Sequence, residues 1–430
     1  MDKDVINLAL AGFGTVGTGL ARIIQENNEW IERRIGKKLV ITKVLVRDTS
    51  KVRSFIPGPE TRFTDNLDDI LEDQETDILV ELMGGTEIPR KLIEAGLKSG
   101  KHVVTANKAL LAEYGNELFA LAHDQNQGLY YEASVAGGIP IVQTLKDSLA
   151  GNKIKSITGI LNGTANFILS EMTARGHDFS EALKAAQDLG YAEADPALDI
   201  EGMDAAHKLV ILIRLAHGAD YPLKILPVQG VSKVQATDIS LAGEFGYVLK
   251  LIAQVREKSG HLQAGVFPAL LPKNHILAKV DGPFNSILLE GNAVGPIMLY
   301  GQGAGDLPTG SAVLADIMAL AISHAQINNT GFRERTLPSA RIVEPDLGVS
   351  EHYFRMTALD KPGVLSAVTG VLGEHNISIA QAVQKPGPQG KNVPIVFLTH
   401  RAQLKAINSA LKVIDEFDFI TAPTVHYRIL

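Results

Sequence analysis

The 430-residue sequence contains no cysteine. Disulfides, thiolate metal sites and cysteine nucleophiles are therefore excluded. So is the usual thiol route by which an aldehyde is oxidised to an acyl product. Aromatic residues are few, at 6%. No long run of one charge sign occurs, and the net charge is −7. This balance disfavours nucleic acid and membrane surfaces as partners and leaves small metabolites open. No apolar stretch reaches membrane-spanning length, and the start, MDKDVINLALAGFG, lacks the basic region of a signal peptide. A cytoplasmic location is expected. The twelve histidines show no zinc-like clustering.

What is present is an ordinary globular composition, 45% hydrophobic and 21% charged, long enough for two or three domains. VINLALA (5–11) reads as a buried strand, followed by GFGTVG and the apolar-periodic helix LARIIQENNEWI. LVITKVLVRD (39–48) is the next strand. The charged segment DNLDDILEDQ predicts a helix, and TDILVELMGG a strand ending in Gly-Gly. KHVVTANK (101–108) and LYYEASVAG (129–137) predict further strands, with helices between. Alternation at this spacing predicts a parallel, doubly wound α/β sheet of the Rossmann type.

From about residue 140 the pattern changes to α+β. IPIVQTLKDSLAG looks helical, KIKSITGILNG looks like a strand, and two Gly-stopped helices follow. The segment from SLAGEFGYVLK to PALLP reads as strands, or as a helix then a strand. The apolar helix GSAVLADIMALAISHAQ (310–326) is expected to return to the first domain. Residues 331–349 suit a linker. Residues 350–430 read β-α-β-β-α-β, a ferredoxin-like unit with a turn at PGPQGKN.

Gly12-Phe13-Gly14-Thr15-Val16-Gly17 is G-x-G-x-x-G in its required setting, after a strand and opening a helix. Gly12 allows the tight turn, Gly14 lets backbone approach a pyrophosphate, and Gly17 permits close packing. The end of the second strand reads Val46-Arg47-Asp48. An acid there would accept from a ribose 2′-hydroxyl, and an arginine suits a 2′-phosphate. Arg47 favours NADP, with NAD tolerated.

Hydride transfer between an alcohol and a carbonyl needs a proton donor beside the reacting oxygen. Lys108 ends the strand in VVTANK, at the carboxyl edge where open α/β sheets bind ligands. Lys208 follows the acidic stretch YAEADPALDIEGMDAAHKL, on an apolar helix, four residues after Asp204. The two share one helix face. Spacing alone leaves two readings, a solvent-facing ion pair or a partly buried lysine with its partner.

Several of these stretches together resemble the homoserine dehydrogenases, in the longer bacterial form that ends in an ACT domain. The resemblance rests on AGFGTVG, VVTANK, EASVAGGIPI, GILNGTANFIL and GYAEADPALDIEGMDAAHKLVIL, and on Asp360-Lys361-Pro362-Gly363-Val364-Leu365 in the tail. It covers essentially the whole chain. It implies reversible NAD(P)H-dependent reduction of L-aspartate 4-semialdehyde to L-homoserine, a step of threonine, methionine and isoleucine biosynthesis. It implies that Lys208 gives the proton, that Glu193 and Asp204 hold the substrate, and that Lys108 lies between substrate and cofactor. Gly190 and Gly303 match cofactor contacts from the second domain. Glu132, Val135, Gly137 and Ile139 match a loop that holds a monovalent cation, sodium, mostly through carbonyls. The ACT unit implies feedback by L-threonine, with Asp360 and Gly363 in the effector loop; a dimerisation module without a ligand is the other reading. A homodimer or homotetramer is expected. The implied boundaries are 1–137 for the cofactor domain, 138–309 for the substrate and dimerisation domain, 310–330 packing back, a linker at 331–349, and 350–430 for the ACT domain. No kinase domain is expected ahead of the first strand. A nucleotide-sensing regulator is the competing reading, but it would need none of Lys108, Glu193, Asp204 and Lys208.

Overall fold

The computed structural model describes residues 3–53, 55–322, 329–384 and 392–430. The first layer is built from β1 (Val5–Ala11), α1 (Thr15–Glu26), α2 (Asn28–Ile35), β2 (Lys38–Leu45), β3 (Arg62–Thr64), α3 (Asp68–Leu71), β4 (Ile78–Glu81), α4 (Glu87–Lys98), β5 (His102–Thr105), α5 (Lys108–Asp124) and β6 (Leu129–Tyr130). The six strands are parallel, in the order β3-β2-β1-β4-β5-β6. This is the Rossmann order, with the strand sequence reversing beside β1. All four residues of β4 are buried, as expected of a strand covered on both faces.

Three elements differ from expectation. The charged helix after residue 65 is a single turn, α3. Its polar side chains bind locally instead: Asn66 Oδ1 accepts from the Asp68 amide, and the Thr64 hydroxyl bonds Asp69. Such bonds compete with helix formation. The strand expected over 129–137 stops at Tyr130 and becomes a 3-10 turn at Glu132–Ser134. Ala136 and Gly137 then take left-handed φ of 56° and 55°, which no strand allows. β2 ends at Leu45, so Arg47 and Asp48 stand in an exposed loop.

The second layer holds α6 (Ile141–Gln143), β7 (Ile154–Ile160), α7 (Gly163–Arg175), α8 (Phe179–Asp188), α9 (Ala197–Ile200), α10 (Met203–His217), α11 (Ala236–Glu244), β8 (Tyr247–Lys258), β9 (His261–Pro272), β10 (Phe284–Gly291) and β11 (Gly295–Gln302). The open reading of residues 240–272 resolves as a helix end followed by the long β8–β9 hairpin. α12 (Asp306–Ile322) then lies backbone to backbone on α1. A methyl group on Gly19 would sit 2.3 Å from the Asp306 carbonyl oxygen, and one on Gly310 would sit 2.7 Å from the Leu20 nitrogen. Among the described residues, no helix is long and apolar enough to cross a membrane.

The third unit comprises β12 (Val349–Leu359), α13 (Val364–Glu374), β13 (Ile379–Gln384), β14 (Asn392–Thr399), β15 (Ala402–Gln403), α14 (Leu404–Asp415) and β16 (Ile420–Ile429). It keeps the expected β-α-β-β-α-β order, with the short β15 added beside β12. The turn expected at 386–392 lies, except for Asn392, outside the described residues.

This unit is not separate. β16 pairs in parallel with β9, Arg428 against Ala269 and Ile429 against Leu270, so one ten-stranded sheet runs through both domains. A second joint lies beside it. The buried Arg355 guanidinium of β12 binds the fully enclosed Asp238 carboxylate of α11 and donates to Gln235 Oε1 at 2.8 Å.

His352 and His426 meet inside this sheet, Nδ1 to Nε2, at 2.9 Å. Burial pushes His352 down to about 4 and His426 down to about 3. In the unfolded chain both titrate near ~6.5. As pH falls from about 6.5 toward 4, the unfolded state takes up protons that the folded state refuses, so stability is lost across that window. Thermal melts should show this acid limb, and a His426→Gln variant should show a shallower one.

Candidate active site

α10 explains why the acidic stretch could not be read from periodicity. Gly202, at φ 85°, opens the helix and Gly218, at φ 58°, closes it. Every residue from Asp204 to Leu215 is buried. A helix enclosed all round shows no polar face. The solvent-facing reading of its ion pair is thereby overturned: Asp204 is 6% exposed and Lys208 7%.

Lys208 Nζ donates to Asp204 Oδ2 at 2.8 Å and to the Leu161 carbonyl oxygen at 2.6 Å. Lys108 Nζ, on the first residue of α5, stands 3.2 Å from the other oxygen, Asp204 Oδ1. Asn162 Nδ2 donates to Asp204 Oδ2 at 2.8 Å and to Asp199 Oδ1 at 2.6 Å, while its Oδ1 caps α7 at the Ala165 amide. Burial alone would raise the Asp204 carboxyl. The Lys208 and Lys108 ammonium groups override it, and with hydrogen bonds from Lys208 and Asn162 hold that carboxyl well below the usual range. Asp199 is pushed the other way, by burial and then by Asp204 itself. A lysine ammonium has three N–H donors. Two are used at Lys208, which leaves one for a reacting oxygen.

Arg214 ties the two lysine-bearing helices together. From α10 it reaches into α5, donating to the Leu111 and Ala112 carbonyl oxygens, and it is held by Asp220 at 2.7 Å. Gly115 makes the room, since a methyl group there would lie 2.7 Å from Arg214 Nη1.

The glycine loop has the geometry its sequence calls for. Gly12 takes φ 103°, and a methyl group on it would meet the Leu82 carbonyl oxygen at 2.7 Å. One on Gly17 would meet the Gly12 carbonyl oxygen at 2.8 Å. Gly14 differs, with nothing within 4 Å of that position. This open space lies at the N-terminus of α1, whose first turn has no acidic residue and no side-chain cap. It fits a pyrophosphate. Phe13 packs edge-on against Phe63, and Thr15 and Val16 begin the helix. Asp48 is occupied by the Ser50 amide and hydroxyl, whose hydrogen bonds hold its carboxyl low. Arg47 beside it is exposed and makes no side-chain bond among the described residues.

Gly137 and Gly303 are pressed together, a methyl group on Gly137 lying 2.5 Å from the Gly303 carbonyl carbon. Gly303 in turn lies on the side-chain amide of Asn285. Asn285 Nδ2 donates to the Leu161 carbonyl oxygen at 3.0 Å, the same oxygen that receives Lys208. Its Oδ1 is buried with no partner among the described residues. Both oxygens of the Glu132 carboxylate are taken, by the Val142 and Gln143 amides at 2.8 Å. The loop also offers main-chain carbonyl oxygens to a cation. Those of Val135 and Gly137 accept no hydrogen bond among the described residues, whereas that of Ile139 receives the Ile141 amide at 2.8 Å.

The structure thus gathers Lys108, Asp204 and Lys208 into one contact set. Glu193 and Gly190 stay exposed, on a loop tied to α7 by the Thr164 hydroxyl, which donates to the Tyr191 carbonyl oxygen at 2.6 Å. Asp360 and Gly363 lie apart, on a cavity of about 590 Å³ at the start of α13. Sequence reasoning missed Asn162, Asn285 and the Leu161 carbonyl. Asn162 had a signal, an asparagine three residues before Ala165 at a helix start; the other two had none.

A buried lysine with one N–H donor to spare, on a helix tied to α5, together with a glycine loop roomy enough for a pyrophosphate, points to the NAD(P)-dependent oxidoreductases. Comparison with known proteins is specific. Residues 12–132 match the family model described as the NAD-binding domain of homoserine dehydrogenase, residues 140–318 the homoserine dehydrogenase model, and residues 352–416 the ACT domain model. The homoserine dehydrogenase of Neisseria gonorrhoeae is 41% identical over 98% of both chains, and that of Bacillus subtilis 36% identical over 99% of this chain and 98% of its own. The crystal structure of a homoserine dehydrogenase from Thiobacillus denitrificans superposes with a TM-score of 0.93 at 39% identity, covering 99% of this chain and 98% of that one. A hyperthermophilic archaeal homoserine dehydrogenase in complex with NADPH superposes with a TM-score of 0.64 at 28% identity, covering 75% of this chain and 100% of its own. The chain belongs to the homoserine dehydrogenase family.

Proposed function

We propose that Lys208 is the proton donor in the reduction of L-aspartate 4-semialdehyde to L-homoserine, on the route to threonine, methionine and isoleucine. The bound dinucleotide supplies hydride to the aldehyde carbon. The Lys208 ammonium stabilises the negative charge developing on the aldehyde oxygen and passes a proton to it. Asp204 keeps that ammonium aimed, and Lys108 joins it from the cofactor side. Glu193, exposed and with no side-chain partner among the described residues, is the carboxylate available to the substrate ammonium. The observation that carries this reading is the buried Lys208–Asp204 contact with one lysine proton unassigned. Turnover of the semialdehyde by the purified chain, set against Lys208 variants, tests it.

NADP is the preferred cofactor in this reading. Arg47 is free for a 2′-phosphate, while Asp48 is engaged by Ser50. Gly12 to Gly17 would hold its phosphates, and Gly190 and Gly303 would meet it from the second domain. Arg47→Ala should weaken NADPH about tenfold, as expected for one charge-assisted hydrogen bond, and leave NADH little changed. Paired KM measurements with the two cofactors check this. Sodium would sit on main-chain carbonyls of the Glu132, Val135, Gly137 and Ile139 loop, with the Glu132 side chain shaping the loop and not touching the ion.

L-threonine is the proposed effector. Its carboxylate would meet the amides opening α13 near Gly363, and its ammonium would meet Asp360. Deleting the domain would bare the β9 edge, so a point substitution is the cleaner test. The ratio of rates with and without L-threonine should fall below one in the wild type and return to one in Asp360→Ala. The enzyme is expected to act as a dimer or tetramer.

A further inference from the structure

The mechanism above leaves the buried carboxylate of Glu81 unused. Glu81 is the last residue of β4, at the carboxyl edge of the Rossmann sheet, and is 0% exposed. Its register neighbours are Ala11 on β1 and Thr105 on β5. Oε1 accepts from the Met83 amide at 2.7 Å, and Oε2 accepts from the Thr105 hydroxyl at 2.6 Å. Thr105 Oγ1 receives the Asn107 amide at 3.0 Å. The Asn107 side chain then does two things. Its Oδ1 caps α5 at the Leu110 amide, and its Nδ2 donates to the Gly85 carbonyl oxygen at 2.8 Å. The bonds form a closed loop: Glu81, Thr105, Asn107, Gly85 and back along the chain through Met83. Lys108 is the next residue and opens α5.

We infer that Glu81 is a positioning residue for the cofactor bed and for Lys108, acting through Thr105 and Asn107. Two segments hang from its carboxylate: the β4–α4 turn, which also backs the glycine loop where Leu82 meets Gly12, and the turn that delivers Lys108 to Asp204. An ionised carboxylate accepts both the Met83 and Thr105 hydrogens. A protonated one replaces two charge-assisted hydrogen bonds by neutral, weaker ones, with the Thr105 hydroxyl able to turn and accept the carboxyl proton. Burial raises this carboxyl to about 7, against the bonds from Thr105 and Met83 that lower it. Among the described residues, no charged side chain acts on it. The clamp is therefore tightest on the alkaline side of neutrality and slackens as pH falls through about 7.

The inference rests on the dehydrogenase reading only in that the bed holds NADPH, so its test uses NADPH binding without the amino-acid substrate. Equilibrium NADPH binding is measured from pH 6 to pH 9 on the full-length wild type, Glu81→Gln, Thr105→Val and Thr105→Ser, with melting temperature as a check on folding. The wild type should bind several-fold more tightly at the alkaline end, with an inflection near neutrality. Glu81→Gln should bind about tenfold more weakly than the alkaline wild type and lack that inflection, tenfold being the loss of one buried hydrogen bond. Thr105→Val should weaken binding similarly, and Thr105→Ser should restore it. Folded Glu81→Gln and Thr105→Val proteins that bind NADPH like the wild type at every pH would overturn the inference. A wild type that binds no nicotinamide dinucleotide at all would instead overturn the cofactor reading.

Discussion

Lys208→Met is expected to lower the rate of semialdehyde reduction by about 10²–10⁴-fold, the usual contribution of a positioned general acid. Methionine keeps the unbranched shape that α10 encloses and removes only the charge and the proton. Asp204 is not left stranded, because Lys108 at 3.2 Å and Asn162 at 2.8 Å still compensate it. The fold should therefore hold. NADPH binding should persist, since the glycine loop lies on a different domain from α10. Steady-state kinetics beside a direct NADPH titration separate the two effects. A kcat near the wild-type value would remove Lys208 from the chemistry.

Asp204→Asn should cost both activity and stability. The substitution keeps the shape but takes the counter-ion from a lysine that is 7% exposed. Breaking a buried ion pair by removing one partner typically costs about 3–5 kcal/mol. The remaining Lys108 is half-exposed and adds little. Activity should fall as well, because the ammonium of Lys208 is no longer held in one direction. The pH dependence of the stability loss has a definite sign. Asp204 is held below its unfolded value, so its contribution is fully present above about pH 4 and is lost only as pH falls below that. Chemical denaturation should accordingly show the difference between wild type and Asp204→Asn shrinking as pH falls below about 4. A difference that stayed constant as pH falls well below about 4 would mean that Asp204 is not the anion described.

The cofactor half of the molecule was the most legible. A glycine motif between a buried strand and a helix constrains backbone directly, so Gly12, Gly14 and Gly17 could be given separate duties from residue order alone. The ferredoxin-like order of the tail was equally plain, because each strand and helix there keeps its own period. The joint between domains was not. Two register pairs of β16 with β9, and one arginine–aspartate contact between β12 and α11, are long-range choices that leave no local pattern. Of the site, Lys108, Asp204 and Lys208 were identified by residue type and family resemblance, but their burial was not. A helix packed on every side reads as apolar with scattered charges, and composition cannot say whether those charges face water. Glu132 shows the converse. Its place in the proposed cation loop followed from resemblance, while the structure assigns its carboxylate to the Val142 and Gln143 amides.

The most direct measurement is NADPH oxidation by the purified chain on addition of L-aspartate 4-semialdehyde, run beside other short aldehydes and beside Lys208→Met. Rapid oxidation with the semialdehyde, little with the others, and near-complete loss in the variant is the expected outcome. Equal rates with simple aldehydes, or full activity in Lys208→Met, would contradict the assignment of this site to proton transfer onto an amino-acid aldehyde.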